Sequence, residues 1–312
     1  MNLTIIIPTY NRTADLQRLL ESIFQQSFPV PEVLAIVGPG DQESLELVRK
    51  WKTSEPSLKS ISATRKSLVH AINLGLANAT GDVICLLDDD VWLPPGWAAR
   101  IAKAYQSDPQ LGAYGGRDKL QLNDSELNNP PLAKKVGQFR WDGMLAGNHH
   151  CGSVKSPLLV DVIKGCNLSF RRAAFPGMQV EPALESKGAE IGTEIDICQR
   201  IIRAGYHIVY DNENCVLHFA SPRSSSDDRS NLFSPAWGDR TFNEGLVVAK
   251  HRPLSALLLL GLRFFVVGTR MQPGILRALI LLPKHPSWQL LSLPWQYTRL
   301  FMKGAAQGLR KR

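Results

Sequence analysis

The residues able to do chemistry in this chain are a few carboxylates at defined places. In Gly81-Asp82-Val83-Ile84-Cys85-Leu86-Leu87-Asp88-Asp89-Asp90, an apolar run ends in three consecutive acids. Three adjacent carboxylates repel one another, so a positive charge belongs beside them, and oxygen-only donors suit a hard cation such as Mg²⁺ or Mn²⁺. The bland reading is a solvated acidic turn. Against it stands the run Val83 to Leu87, which has the length and flanks of a buried strand. In open α/β sheets the carboxyl end of a strand is where ligands bind.

A second set of acids, Thr193-Glu194-Ile195-Asp196, opens a helical pattern. It fits a capping box, with Thr193 as N-cap and Asp196 reaching back. Asp196 also lies four residues before Arg200, the spacing of a helix ion pair. Glu194 has no such structural explanation. It reads either as a general base for a hydroxyl proton or as a first-turn acid stabilised by the helix dipole.

The elements that would position these acids alternate between strands and helices. Leu3 to Pro8, Val33 to Val37, Leu58 to Ser62 and Val83 to Leu87 read as strands. Between them, Leu16 to Phe24, Leu45 to Trp51 and Leu68 to Ala79 have helical spacing. Such alternation implies βαβ units and a mostly parallel sheet flanked by helices. Pro94-Pro95-Gly96 then breaks the chain, and Trp97 to Tyr105 is helical. Residues 112–160, rich in Gly, Asn and Pro, read as loops with short strands. Ile163 to Phe170 is strand-like, 177–192 reads as a mobile loop, and Thr193 to Ala204 is a helix stopped by Gly205. His207–Tyr210 and Cys215–Leu217 read as two short strands, and Ser221 to Ser230 as a polar linker.

The net charge of +8 is unevenly placed. Residues 1–220 carry 22 Lys/Arg and 24 Asp/Glu, or −2; residues 221–312 carry 14 and 4, or +10. That divides the chain into an α/β domain, 1–220, and a basic amphipathic helical segment, 221–312. No apolar stretch of the segment reaches about 18 uninterrupted residues, so a spanning helix is not expected. Leucines, Trp288 and Trp295 among arginines suit helices lying in an anionic membrane interface. A helical pair packed on the first domain is the alternative. Nucleic acid is disfavoured by the aliphatic content and the lack of a binding motif. Five scattered cysteines without CxxC pairs, and a start lacking the basic flank and long apolar core of a signal peptide, point to a reducing, cytoplasmic setting.

Other residues stay open on sequence alone. Asn148-His149-His150-Cys151 reads as a polar loop rather than a soft-metal site, since no second Cys/His cluster lies at ligand spacing. Arg171-Arg172 is a solvated pair or a phosphate contact. His218 is a strand-end histidine or a metal ligand. Trp141 is core or a platform for stacking a sugar.

Taken together, several stretches resemble family 2 glycosyltransferases, inverting enzymes of GT-A fold. These are Ile5-Ile6-Ile7-Pro8-Thr9-Tyr10-Asn11-Arg12, Asn73-Leu74-Gly75, Ala79-Thr80-Gly81-Asp82 running into Asp88-Asp89-Asp90, Gly165-Cys166-Asn167-Leu168-Ser169-Phe170, Thr193 to Ile197, Arg203-Ala204-Gly205-Tyr206 and His218. The resemblance implies a GT-A domain using a nucleotide-sugar donor and Mn²⁺ or Mg²⁺. Asp88 and Asp90 match the family's DxD motif and would hold the metal, with His218 as a further contact. Pro8, Thr9, Tyr10, Arg12, Asn73, Asp88 and Asp89 would serve the donor, and Gly165, Cys166 and Asn167 the acceptor. Three departures stand out. Gly38 takes the place of an aspartate that reads the nucleobase, with Asp41 nearby. Ile72 replaces an arginine, leaving Arg65 or Lys66 to face the phosphates. The Glu-Asp catalytic pair appears as Thr193-Glu194, which makes Glu194 the base. The implied reaction is sugar transfer to a lipid-linked or polysaccharide acceptor on the cytoplasmic face of a membrane. The rivals are a metal-dependent phosphatase, which would want DxDx[TV] on the first strand, and an inactive membrane-bound sugar-binding module.

Overall fold

The computed structural model describes residues 1–122, 125–126, 132–185, 190–219, 228, 231–269, 271–283 and 287–312. The chain divides into two compact units. The first comprises Met1–Gln138, Ala146–Pro182 and Ile197–Ser221; the second comprises Phe139–Leu145, Ala183–Asp196 and Pro222–Arg312. Most of the polar stretch Ser221 to Ser230 lies outside the described residues.

In the first unit the elements are β1 (Leu3–Thr9), α1 (Thr13–Phe24), β2 (Glu32–Val37), α2 (Gln42–Lys52), β3 (Leu58–Ser62), α3 (Leu68–Asn78), β4 (Val83–Leu86), β5 (Val91–Trp92), α4 (Trp97–Ser107), β6 (Leu111–Leu122) and β7 (Ser125–Glu126). β10 (Leu158–Leu159), β11 (Leu168–Arg171) and β12 (His207–His218) complete it, while the short hairpin of β8 (Gln138–Phe139) and β9 (Leu145–Ala146) and the helix α5 (Thr193–Arg203) each have residues in both units. The sheet runs β10-β12-β6-β11-β4-β1-β2-β3. β3, β2, β1 and β4 are mutually parallel, as are β6 and β12, while β11 is antiparallel to both its neighbours. β1 and β2 are buried along almost their whole length because helices cover both faces, which is why their sequences are continuous apolar runs rather than alternating ones. Leu3, Ile5, Ile7, Val33, Ala35 and Cys85 meet Leu16, Leu19, Trp97 and Ile101 in one core.

Two strands depart from the sequence expectation. Residues 112–122 belong to the twelve-residue β6, not to a loop. Its glycines are there because backbone passes close by. A Cβ on Gly115 would lie 2.2 Å from the Asn167 carbonyl oxygen, and one on Gly116 2.2 Å from that of Asp211. The pieces read as two short strands are the single strand β12, whose register shifts between Asp211 and Val216 where it pairs with β6. The bulge interrupts the alternation that sequence periodicity relies on.

The amino-terminal edge of the sheet is tied by Glu32. Its Oε2 accepts from Thr4 Oγ1 (2.6 Å), Thr80 N (2.8 Å) and Thr80 Oγ1 (2.9 Å), and Oε1 accepts from Lys59 (3.0 Å). Burial opposes its charge, but these donors prevail and hold the carboxyl down to about 2. The chemistry lies at the opposite, carboxyl edge.

The second unit is helical: α6 (Pro235–His251), α7 (Leu254–Val266), α8 (Ile275–Leu281) and α9 (Trp288–Leu309). Ser234 caps α6 by accepting from Ala236 N, with Pro235 in the first turn. α6 and α9 pack backbone to backbone. A Cβ on Gly304 would sit 1.9 Å from the Phe242 carbonyl oxygen, and one on Gly308 2.3 Å from that of Leu246. Trp237, Ala278, Leu290, Leu293 and Tyr297 form a separate small core. No helix among the described residues is long and apolar enough to cross a membrane.

Candidate active site

The three acids follow β4 directly. Leu87 N donates to the Ile6 carbonyl, keeping the chain in the sheet up to Asp88; β5 then pairs with the end of β12, and Phe219 N donates to the Asp90 carbonyl (2.8 Å). This lattice fixes both sides of the acidic turn. Asp89 and Asp90 are buried, and Asp88 is partly exposed.

The charges are compensated from β1. Thr9 Oγ1 donates to Asp89 Oδ2 (2.9 Å), and Arg12 reaches Asp89 Oδ1 (3.1 Å) and Asp90 Oδ2 (3.4 Å). Arg12 occupies the N-cap of α1 without capping it by its side chain, which turns to the acids instead. Burial pushes the Asp89 carboxyl up to about 7, with Asp90 adding to the rise and Arg12 and Thr9 opposing it.

β12 brings His218 to the same place. Its Nε2 lies 3.3 Å from Asp90 Oδ1 and its Nδ1 3.6 Å from Asp118 Oδ2. Burial works against an imidazolium, but the two carboxylates outweigh it and raise His218 to about 9. Asp118, on β6, is almost fully buried and also accepts from Lys164. Burial opposes its charge, yet His218 and Lys164 bring it down to about 2. Asp118 and Lys164 are the site residues that sequence reasoning missed. Asp118 was hidden in the glycine-rich stretch read as loop. Lys164 directly precedes the Gly165-Cys166-Asn167 motif and carried no signal of its own.

Among the described residues, two trios of donor atoms lie within 4.8 Å of one another: Asp88, Asp90 and His218, and Asp118, Cys166 and His218. The first, two carboxylates and an imidazole, suits Mn²⁺ or Mg²⁺. The second suits a cation less. The Lys164 ammonium already lies on Asp118, and burial pushes the Cys166 thiol far above its ordinary range, so it is protonated.

Several expected site residues turn out to hold the fold. Asp41, expected at the donor, caps α2 by accepting from Ser44 N (3.1 Å). Its other oxygen accepts from Asn11 N (2.7 Å), steadying the left-handed Asn11 of the loop after β1. The Asn73 amide, also expected at the donor, bonds the Val180 backbone twice, to its carbonyl (3.0 Å) and from its N–H (2.7 Å). Of the three residues expected at the acceptor, only Gly165 is partly exposed. Asn167 accepts from Trp97 Nε1 (3.0 Å) and donates to the Asn214 carbonyl (2.5 Å), while the Cys166 side chain is buried. The short 3₁₀ turn Gly165–Asn167 that delivers β11 between β4 and β6 turns both side chains inward. Arg171 bonds the carbonyls of Tyr105, Asp108 and Leu111, and Arg172 that of Ala79, so each serves backbone in the first unit. His149 is buried, its Nε2 3.0 Å from the Val162 carbonyl oxygen, and joins no candidate metal group among the described residues. Trp141 is 78% exposed, which removes it from the core.

Pro8 and Tyr10, partly exposed, line the mouth of the β1–α1 loop. The Tyr10 ring covers Gly38 so closely that a Cβ there would lie 2.3 Å from it. That explains why an acidic side chain is absent at position 38. The exposed Lys66 places its ammonium 4.8 Å from the centre of the same ring.

In the second unit, Glu194 is partly exposed on the first turn of α5 and accepts from Thr193 Oγ1 (2.8 Å). The predicted capping box does not form. Gly192, at φ +107°, accepts the first helical bond, from Asp196 N (2.9 Å), so Thr193 already lies inside the helix. Asp196, with no exposed surface, instead accepts from Lys250 Nζ and His251 Nε2, both at 2.8 Å. Arg200, in the first unit, bonds the Pro176 and Gln179 carbonyls and stacks on Phe175. The segment read as a mobile loop is anchored on both described flanks. Val180 and Leu184 are buried, and Asn243 donates to the Leu184 (3.1 Å) and Ile191 (2.9 Å) carbonyls; residues 186–189 lie outside the described residues.

Burial opposes a charged Asp196, but His251 and Lys250 hold it down to about 2. A depressed carboxyl adds stability that is present above its ordinary range and lost as the pH falls toward 2. Asp196→Asn is therefore expected to destabilise the chain by about 3 kcal/mol, because it removes a buried carboxylate that Lys250 Nζ and His251 Nε2 both bond. Denaturant melts of wild type and variant should differ by the same amount from pH 7 down to about 5 and converge as the pH falls below about 4 toward 2; a difference independent of pH would contradict the pairing.

Residues 4–174 match the family described as glycosyl transferase family 2, more than half of the chain. This chain belongs to that family. Among curated relatives it is similar to a glucosyl-dolichyl phosphate glucuronosyltransferase of Haloferax volcanii, at 23% identity over 70% of this chain and 69% of the relative. It is also similar to an O-antigen chain rhamnosyltransferase of Salmonella typhimurium, at 26% identity over 70% of this chain and 66% of the relative. Other matches are partial; one spans 41% of this chain and 40% of the relative. Among solved structures, a mannosyltransferase of Pyrobaculum calidifontis in complex with GDP-Man and Mn²⁺ superposes with a TM-score of 0.52 at 17% identity, over 99% of this chain and 87% of that one. The mixed, mostly parallel sheet with flanking helices is thus of GT-A type, and the chain is a glycosyltransferase.

Proposed function

We propose that this glycosyltransferase moves one sugar, with inversion, from a nucleotide-sugar donor to a hydroxyl of a lipid-linked or polysaccharide acceptor. It would use Mn²⁺ or Mg²⁺ and work at the cytoplasmic, anionic face of a membrane. The observation that carries the reading is the convergence of Asp88, Asp90 and His218 within 4.8 Å at the carboxyl ends of β4 and β12. These three would hold the divalent ion, which when bound supplies positive charge to the departing diphosphate.

The remaining roles fall to the chain itself. Arg12, fixed by Asp89 and Asp90, and Lys164, fixed by Asp118, place cations at the edge of the acidic turn. Thr9 and Asp89 form a rigid wall on the β1 side. Glu194 takes the acceptor's proton; the acceptor oxygen forms its bond to the anomeric carbon; the bond from that carbon to the diphosphate breaks, and the diphosphate leaves with the electron pair. One displacement gives inversion. The acceptor class draws on the Haloferax and Salmonella relatives, whose names specify a dolichyl phosphate and an O-antigen chain.

The phosphatase reading fares worse, because the acids follow the fourth strand and Trp92 stands where that chemistry wants Thr or Val. A pure sugar-binding module would have no need of a base at Glu194. The test is to incubate the protein with Mn²⁺ and a panel of nucleotide sugars, with a chelator as control. Metal-dependent release of nucleoside diphosphate from one donor is expected; release of phosphate from simple monoesters with none from any nucleotide sugar would overturn the reading.

A further inference from the structure

The second unit carries an apolar surface that its own packing leaves uncovered. On α7, Leu254, Leu258 and Leu262 follow one another at four-residue spacing and are 52%, 65% and 62% exposed. Phe265 continues that stripe. On α9, Trp288, Trp295, Met302 and Leu309 recur every seven residues, which keeps them on one side of a helix, and all are exposed, Trp288 by 87%. The stripes meet where Phe265 packs edge-on against Trp295, ring centres 4.8 Å apart. Leucines and tryptophans so exposed on two adjoining helices form a patch of the kind that marks an interaction site.

Charge decides what covers it. Residues 245–312 contain eleven Lys/Arg and no Asp or Glu. Arg299 and Lys303, both exposed, sit four and eight residues after Trp295, on the same side of α9 as the stripe. A second copy of the chain placed symmetrically on this face would set these cations against themselves. An anionic bilayer offers the opposite charge, an apolar layer for the leucines and an interfacial zone in which tryptophan is favoured.

We propose that the joined face of α7 and α9 is the membrane-docking surface. The two helices lie in the headgroup boundary of an anionic bilayer, with Leu258, Leu262 and Trp295 inserted and Arg299 and Lys303 on the lipid phosphates. The inference deepens the membrane part of the proposed function and rests on it, while standing apart from the sugar chemistry.

The experiment is co-sedimentation of the full chain with phosphatidylcholine vesicles, with and without phosphatidylglycerol. Three proteins are compared: wild type; Leu258→Gln/Leu262→Gln/Trp295→Ser; and Arg299→Gln/Lys303→Gln. All five positions are on the surface, so circular dichroism and melting should match among the three. Wild type should bind the anionic vesicles. The apolar variant should lose at least ~10-fold in partitioning at every salt concentration. The basic variant should lose ~10-fold at low salt and little at high salt, where screening has already removed that contribution. Wild type staying in the supernatant, or both variants binding as wild type does, would overturn the assignment. So would a wild-type dimer by light scattering that the apolar variant dissociates without any vesicle binding. Release of nucleoside diphosphate from a soluble donor is followed in parallel. Vesicle binding without such release supports the docking surface while refuting the sugar-transfer reading.

Discussion

Replacing Glu194 by Gln is expected to lower sugar transfer by ~10²-fold or more while leaving donor binding intact. Glutamine keeps the size of the side chain and can still accept from Thr193 Oγ1, as Glu194 does at 2.8 Å. What it loses is the ability to take a proton. Glu194 stands on the first turn of α5, and that turn is held in place two residues on, where Asp196 accepts from Lys250 and His251. A carboxylate with so fixed a backbone meets the demand of an in-line displacement, where a misplacement of about 1 Å can cost ~10²-fold. Glu194→Asp keeps the base but shortens its reach, and should retain part of the activity. Steady-state rates with saturating donor, beside donor affinities from calorimetry, check both variants. Full transfer by the Gln variant would take the role of base away from this residue.

Asp90→Asn is expected to abolish metal-dependent binding of a nucleoside diphosphate, a loss of at least ~10²-fold, with the fold intact. Sequence alone suggests that removing one of three crowded charges relieves repulsion. The structure changes that expectation. Asp90 faces Arg12 at 3.4 Å and His218 at 3.3 Å, so removing its charge takes a partner from both cations, and the melting temperature should fall rather than rise. Titrating Mn²⁺ with nucleoside diphosphate into both proteins separates the outcomes: equal affinities would remove Asp90 from the metal site.

How far the sequence could be read followed from where its signals are local. β1 to β4 and the helices between them are legible because burial on both faces makes the strands continuously apolar, while the helices keep their own period. β6 was illegible for the opposite reason. Gly112, Gly115 and Gly116 look like loop residues until the backbone that presses on them is seen. The acidic turn announced itself, and the placing of His218 beside Asp90 agrees with the motif order. Asn73, Asp41 and Asn167 looked like ligand contacts because polar residues in a motif always do. Their amides and carboxylate are engaged with backbone and side-chain groups from 30 to 107 residues away, and Asp41 also with the next helix, long-range partners that no local pattern reveals. The same blindness hid the pairing of Asp196 with Lys250 and His251, more than fifty residues downstream.

The proposed reaction depends on a divalent ion at the ends of β4 and β12, and anomalous scattering tests that proposal most directly. Crystals of the full chain grown with Mn²⁺ and a nucleoside diphosphate should show one strong manganese peak within coordination distance of Asp88, Asp90 and His218, with the diphosphate against it. A peak held instead by Asp118 and Cys166, or a bound diphosphate with no manganese beside it, would contradict the account.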